Sequence, residues 1–386
     1  MRKFRRAVLV AATAALAAVV VAATASARTS SANTSAACGT VQIGMLAPIT
    51  GPAGSIGSDQ LHWALYGATQ WNKSNSVKIK IVQEDTQLDP SKASTAAQAL
   101  ASNKSIMGVI GPAGSDEVEA TAPILKKAGL AFASGSATRV SLTGGKWKGY
   151  FFRDVPNDGV QGPTDAAYMA TTLGVKSGST VMIVDDQESY STGLADIVGK
   201  SLKAKGVKVE RESVSQKATD FSSLIAKVSS STKVVFLPFQ VASEAQLFAQ
   251  QLKAQGKSAV VFGSDGTFDS SKFKAAGAYV SFFAPDVTTI AADKTIVAGY
   301  KKAYKGGTTP FGAPNYVLAQ MWGTAAKMAC ASGSATRASM RAAFAKVSLS
   351  STILGTGITF TAKGDVAGAK FHIFKIQSNG TYKTVA

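Results

Sequence analysis

The chain has 386 residues, of which 46% are hydrophobic and 17% charged, and 41 Lys and Arg against 23 Asp and Glu give a formal charge of +18. That length exceeds one simple core and suits two domains. A basic balance can signal nucleic-acid binding. Here the lysines are scattered, with no basic-aromatic cluster and no helix-turn-helix pattern, so no nucleic-acid partner is expected and the charge suits an anionic cell envelope instead.

The N-terminus reads as a secretory signal peptide over residues 1–27. Arg2, Lys3, Arg5 and Arg6 form a basic start, an apolar run rich in Ala and Val follows over 7–23, and Ala25-Ser26-Ala27 is a small-x-small cleavage pattern. The run is short for a spanning helix, which needs about 20 residues. Residues 28–40 read as a flexible leader. The two cysteines are Cys38 and Cys330. Export permits a disulfide between them, tying the first strand to the end of a helix. The alternative is two unrelated thiols, with Cys38 carrying a lipid after Ala36-Ala37.

Short apolar, β-branched runs then recur at 41–47, 77–83, 107–110, 130–133, 180–184, 207–210, 233–237, 259–262 and 279–284. Apolar on both faces, they belong in buried parallel sheets. Helical patterns lie between them at 57–73, 90–103, 116–127, 159–172, 193–205, 221–229 and 241–255. After 285 come three helices, at 294–304, 314–331 and 335–346. Strand signals follow at 358–361, 370–376 and 382–385, the last two separated by a Ser378-Asn379-Gly380 turn. The alternation predicts an α/β fold with two doubly wound parallel-sheet lobes.

Catalytic and metal chemistry is absent from the pattern. His62 and His372 are the two histidines, and neither has a second ligand at metal spacing. No nucleophile elbow occurs. Gly144-Gly145-Lys146 runs into Trp147 where a phosphate loop needs Ser or Thr. No enzyme activity, metal or cofactor is expected.

Binding chemistry is present in the loops beyond the strands' carboxyl ends, where ligands of open α/β sheets sit. Gly111-Pro112-Ala113-Gly114-Ser115 opens a helix, and Ser134-Gly135-Ser136-Ala137-Thr138 follows the next strand. Small residues, hydroxyls and free N–H groups at a helix start suit a carboxylate, although the same residues also make plain capped turns. In the loops of the other half, Asp158 follows Pro156-Asn157, the Asp185-Asp186 pair follows the strand at 180–184, and Asp265 follows Gly263-Ser264; a pair of acids facing a cleft suits an ammonium group.

An ordered series of segments carries a resemblance over nearly the whole chain. It comprises Thr50-Gly51-Pro52, Glu84-Asp85 with Asp89-Pro90, Val109-Ile110-Gly111-Pro112 with Ser115, and Ser136-Ala137-Thr138. Further along are Phe152-Arg153 with Asp158, Gln161-Gly162-Pro163, Tyr190 with Gly193, Asp220-Phe221, Gly263-Ser264-Asp265-Gly266 and Gly364-Asp365. The chain resembles the solute-binding proteins of branched-chain amino acid ABC transporters, the Leu/Ile/Val-binding type. The resemblance implies a type I periplasmic-binding fold, two lobes joined by a three-segment hinge. Lobe one would span 41–157 and 284–358, and lobe two 158–283 with a C-terminal hairpin at 359–386.

It further implies that Ser115 and Thr138, with the Ser136-Ala137-Thr138 backbone, hold an α-carboxylate. Asp158 and Asp265 would face the α-ammonium, and Tyr190 would line the cleft. Three departures stand out. Ile56 occupies an often aromatic position on the ligand, no aromatic is placed around Phe239-Gln240-Val241, and Leu88 and Gly114 stand where the family has a disulfide. The implied function is capture of an α-amino acid by a monomer that delivers it to an ABC permease. A ligand-sensing module of the same fold, or a binder of amides, urea or aromatic acids, is the alternative.

Overall fold

The structure, a computed structural model, describes residues 35–305, 309–331 and 333–386. The expected signal peptide at 1–27 lies outside them.

The chain begins with β1 (Ser35–Ala37), β2 (Thr40–Ala47), α1 (Gly54–Ser74), β3 (Lys78–Asp85), α2 (Pro90–Ser102), β4 (Ile106–Ile110), α3 (Ser115–Lys127), β5 (Phe132–Ser134) and β6 (Phe151–Arg153). β3, β2, β4, β5 and β6 form one parallel sheet in that order. Its central strand β4 is buried throughout, as a sheet covered on both faces requires. α2 starts where the sequence says it should. Pro90 is its first residue, and the Asp89 side chain accepts from the N–H of Ser91 and Lys92.

The second lobe follows with α4 (Asp158–Thr171), β7 (Thr180–Asp185), α5 (Ser189–Lys203), β8 (Lys208–Ser213), α6 (Ser222–Ala226), β9 (Thr232–Leu237), α7 (Ala242–Ala254), β10 (Val260–Gly263) and β11 (Tyr279–Phe282). The chain then returns to the first lobe with α8 (Lys294–Ala303), α9 (Gly312–Cys330), β12 (Ser334–Thr336), α10 (Arg337–Phe344), β13 (Ser348–Leu349) and β14 (Ile358–Thr359). It ends in the second with β15 (His372–Ile376) and β16 (Tyr382–Thr384). The second sheet runs β8-β7-β9-β10-β11-β15-β16, parallel as far as β11 and antiparallel for the last two strands. It is therefore mixed, because the C-terminal hairpin completes it.

α1 and α9 pack against each other through small residues. A Cβ on Gly67 would lie 2.8 Å from the Tyr316 carbonyl oxygen, and one on Gly323 would enter the Trp71 ring. Beneath them Trp63 stacks on Tyr300 at 3.9 Å. Such close approach fixes α9, from the late part of the sequence, onto the first lobe.

Four expectations change. Residues 28–40 were expected as a leader, but Ser35–Ala37 pair antiparallel with Ser334–Thr336, and Cys38 is disulfide-bonded to Cys330 beside that pairing. The helix expected from 335 accordingly begins at Arg337, where Thr336 caps it. β6 has three residues, too few to show a pattern, and was not anticipated. Residues 359–366, expected with the second lobe, pack on the first: Phe360 lies 5.0 Å from Phe152 and 5.5 Å from Phe344, and it bridges to Val366. The chain thus crosses between lobes after β6, after β11 and before β15.

Candidate functional site

The first-lobe wall is built by two loops. β4 ends in Gly111 at φ 92, where a Cβ would lie 2.1 Å from the Leu46 carbonyl oxygen, so glycine is required. The turn delivers Ser115 as the first residue of α3. After β5, Ser134 Oγ donates to the Pro112 carbonyl at 2.6 Å and accepts from the N–H of Ser136 at 3.2 Å and Ala137 at 2.9 Å. One buried hydroxyl therefore ties both loops together. Ser136 Oγ donates to the Ala113 carbonyl and accepts from Gln60 Nε2, both at 2.9 Å. Ser115 Oγ accepts from the N–H of Arg139 at 3.3 Å, which leaves its own hydrogen to donate. The N–H of Thr138 finds no acceptor among the described residues. A free N–H, a hydroxyl and a helix start converge here, an arrangement that favours an anion.

The opposite wall is acidic. Asp158 opens α4 behind Asn157, whose side chain accepts from the Gly159 N–H, and the Asp158 N–H donates to the Thr138 carbonyl at 2.9 Å. The acid is thereby fixed to the end of the anion-favouring loop. It is fully buried, and neither oxygen has a hydrogen-bond partner of normal geometry. Burial and the charge of Asp265 push its carboxyl up to about 7, against the pull of the Thr138 hydroxyl and the Arg153 and Arg139 charges. Asp265 follows β10. Burial pushes its carboxyl up to about 6, while hydrogen bonds from Tyr190 and Gln161 pull it down. The Tyr190 hydroxyl donates to Asp265 Oδ1. Burial and the two acids hold the phenol well above its usual range, so it remains a donor. Two buried acids that share a site, both raised even with the charges of Arg153 and Arg139 acting on Asp158, favour an incoming ammonium.

A narrow cleft of about 40 Å³ lies between these walls. Ile56, Ser115, Ser136, Tyr190 and Asp265 line it, with Ala113 and Gly114. Ala137, Thr138 and Asp158 are buried and not part of this lining. The N–H groups of Ser136 and Ala137 both donate to Ser134 Oγ, and the Ala137 carbonyl accepts from Arg153 Nη1 at 3.1 Å, so of the expected backbone donors only the Thr138 N–H is without an acceptor among the described residues. Leu88, Gln240 and Phe311 also line the cleft and were not assigned from sequence. Leu88 and Gly114 are neighbours, since a Cβ on Gly114 would lie 3.1 Å from Leu88 Cδ1, so the expected disulfide positions do meet in space. Gln240 falls in the loop where an aromatic was sought. Phe311 precedes α9 and carried no local signal.

The lobes also touch directly. Ser55 Oγ donates to Asp269 Oδ2 at 2.8 Å, and Arg139 Nη1 donates to the Ser189 carbonyl. Behind the cleft, Arg153 is fully buried and pairs through Nε with Asp365 Oδ1 at 2.7 Å, linking the first crossing to the segment that leads into the third. Among the described residues no group of three or more His, Cys, Asp or Glu is arranged to hold a metal ion, and no helix is long and apolar enough to cross a membrane. His62 stacks on Tyr304 at 4.5 Å, far along the chain from any cleft residue of the second lobe.

Comparison with known proteins adds a family model described as "Periplasmic binding protein", which matches residues 40–381. A leucine-, isoleucine-, valine-, threonine- and alanine-binding protein of Pseudomonas aeruginosa is 28% identical over 246 residues, covering 62% of this chain and 64% of the relative, less than two thirds of its length. An amino acid binding protein of the same organism is 26% identical over 356 residues, covering 90% and 92%. Among solved structures, a branched-chain amino acid binding protein of Streptococcus pneumoniae in complex with isoleucine matches with a TM-score of 0.78 at 21% identity, over 90% of this chain and 99% of that one. A leucine-binding protein of Thermotoga maritima gives 0.79 at 20%, over 90% and 98%. A solute-binding protein of R. palustris in complex with benzoate gives 0.77 at 18%, over 90% and 96%.

Proposed function

This chain belongs to the periplasmic binding protein family, and from that premise we propose that it captures an α-amino acid with an aliphatic side chain and presents it to an ABC permease outside the cytoplasm. The observation that carries the reading is the polarity of the cleft. The Thr138 N–H and the Ser115 hydroxyl hydrogen stand without acceptors among the described residues on one wall, and on the other stand Asp158, whose oxygens have no hydrogen-bond partner of normal geometry, and Asp265, held by Tyr190. An α-amino acid presents a carboxylate and an ammonium on adjacent atoms and matches both. Ile56, Leu88 and Phe311 supply the apolar surface for its side chain. The names of the relatives support the same substrate class.

The mechanism is hinge closure. Ser115 and Thr138 belong to the first lobe, and Tyr190 and Asp265 to the second, so only the closed arrangement makes every contact and the ligand stabilises it. Residues 1–27 would direct export, and the closed monomer would be the form a permease recognises. The chain binds its solute and releases it unchanged.

One observation favours a second reading, an amine-free carboxylic acid. With carboxyls pushed up to about 7 and about 6, Asp158 and Asp265 reach the neutral form in mildly acid solution and tolerate the absence of an ammonium. Calorimetry with leucine, 4-methylvalerate and isoamylamine separates the two. The amino-acid reading requires leucine to bind far more tightly than either, with a dissociation constant around micromolar, about −8 kcal/mol. Equal binding of 4-methylvalerate would transfer the function to the second reading.

A further inference from the structure

A second cavity lies where the chain crosses between the lobes. It has a volume of about 390 Å³ and shares no lining residue with the interlobe cleft. All three crossings form it: Asp154 and Pro156 from the first, Phe283 and Pro285 from the second, Val366 and His372 from the third. Ile290 and Leu354 extend the apolar wall.

One polar group in this cavity is unaccounted for. Asp154 is 2% exposed, and neither of its oxygens has a hydrogen-bond partner. Arg153, next to it in sequence, is committed to Asp365, Thr143 and two backbone carbonyls. Lys370 lines the same cavity with an exposed side chain, and it does not figure among the groups that act on the Asp154 carboxyl, which burial holds well above its usual range. A buried carboxylate without a partner is destabilising, and a charged N–H donor removes that penalty most effectively. The apolar wall of Phe283, Ile290 and Leu354 beside a buried acid, with Lys370, His372 and Thr356 elsewhere in the lining, forms the pattern of a small-molecule site in which few polar groups fix orientation.

We propose that this hinge cavity is a second ligand site, for a small primary amine with an apolar body, its ammonium on Asp154 and its body against Phe283, Ile290 and Leu354. The carboxylate lies just beneath the cavity floor. The segments that form the floor are the ones that shift as the lobes rotate, so the amine gains access through the same motion that opens the interlobe cleft.

Benzylamine is the probe, with benzyl alcohol as its uncharged match, titrated into the mature chain by ligand-observed NMR and calorimetry. Benzylamine should bind saturably and at least tenfold more tightly than benzyl alcohol. Asp154→Asn should weaken it at least tenfold, and Ala369→Trp, which fills the cavity from the third crossing, should abolish it. If Asp154→Asn does not fold, Ala369→Trp and the alcohol control still decide. No saturable binding, equal binding of the alcohol, or undiminished binding by both variants would overturn the proposal. Loss in Asp265→Asn with retention in Asp154→Asn would overturn it too, by locating the amine in the interlobe cleft.

Discussion

The Tyr190 hydroxyl donates to the carboxylate of Asp265, so the second lobe presents its acid to the cleft already oriented. Tyr190 reaches that position from the first turn of α5 and is 4% exposed. Removing the hydroxyl leaves a buried acceptor short of one donor, and the carboxyl rises further toward its neutral form. Tyr190→Phe should therefore weaken leucine binding about fivefold, the loss of one hydrogen bond of about 1 kcal/mol, and lower the melting temperature by the cost of the unsatisfied acceptor. Calorimetry reads it. Undiminished affinity would show that the Asp265 charge does not contact the ligand.

Stability without ligand should fall as pH rises from about 4 to about 7. Asp158 and Asp265 are raised in the folded state, to about 7 and about 6, from an unfolded value near 3.8. A raised acid contributes fully below its unfolded value, and the contribution is lost as pH climbs through the folded one. Asp158→Asn should flatten the melting curve across that window. An ammonium bound between the two acids restores their charged forms, so leucine binding near pH 6 should release protons. Calorimetry in phosphate and in bis-Tris, which both buffer near pH 6, measures that release, and heats independent of the buffer would argue against an ammonium there.

Much of this site was legible in the sequence. Gly111, Ser115 and the hydroxyl-rich 134–138 loop follow strands whose apolar pattern is plain, Asp265 follows the strand at 260–263, and Asp158 follows Pro156-Asn157. What failed depended on contacts between distant positions. Ser136 reads as a backbone donor to a ligand, yet its N–H is already donated to Ser134 Oγ, which itself donates to the Pro112 carbonyl. Phe311 meets Ile56 in the cleft lining only because α9 folds back on α1 through Gly67 and Gly323. The three-residue strand at Phe151–Arg153 has too few positions for any period to register.

Arg153 and Asp365 illustrate the same limit, since they sit 212 positions apart and their pairing had no local signature. Asp365 accepts from Arg153, Asn157 and Thr143. Burial would raise its carboxyl, but the Arg153 charge and these hydrogen bonds outweigh it and hold the group below its usual range. Its stabilising contribution is present above the unfolded value and fades as pH falls through the lower folded one. Asp365→Ala leaves Arg153 buried without a counter-charge and should cost about 3–5 kcal/mol. Urea melts at neutral pH measure this, and a cost below about 1 kcal/mol would mean that Arg153 finds another partner or water.

Ser55 and Asp269 test closure without touching the ligand. Their hydrogen bond spans the lobes at 2.8 Å, yet neither residue lines the cleft. Asp269 keeps its place through Ser271, whose N–H and hydroxyl both donate to its other oxygen. Ser55→Ala thus removes one lobe-to-lobe contact and leaves the second lobe's loop intact. A contact made only in the closed state shifts the open–closed equilibrium by its own free energy, about 1 kcal/mol for a partly exposed hydrogen bond. Leucine affinity should fall about threefold to fivefold, carried by faster dissociation, because the open state that admits the ligand is unchanged. Small-angle scattering without ligand should show a larger mean radius in the variant. A slower association rate with unchanged dissociation would place the Ser55–Asp269 contact in the open state instead.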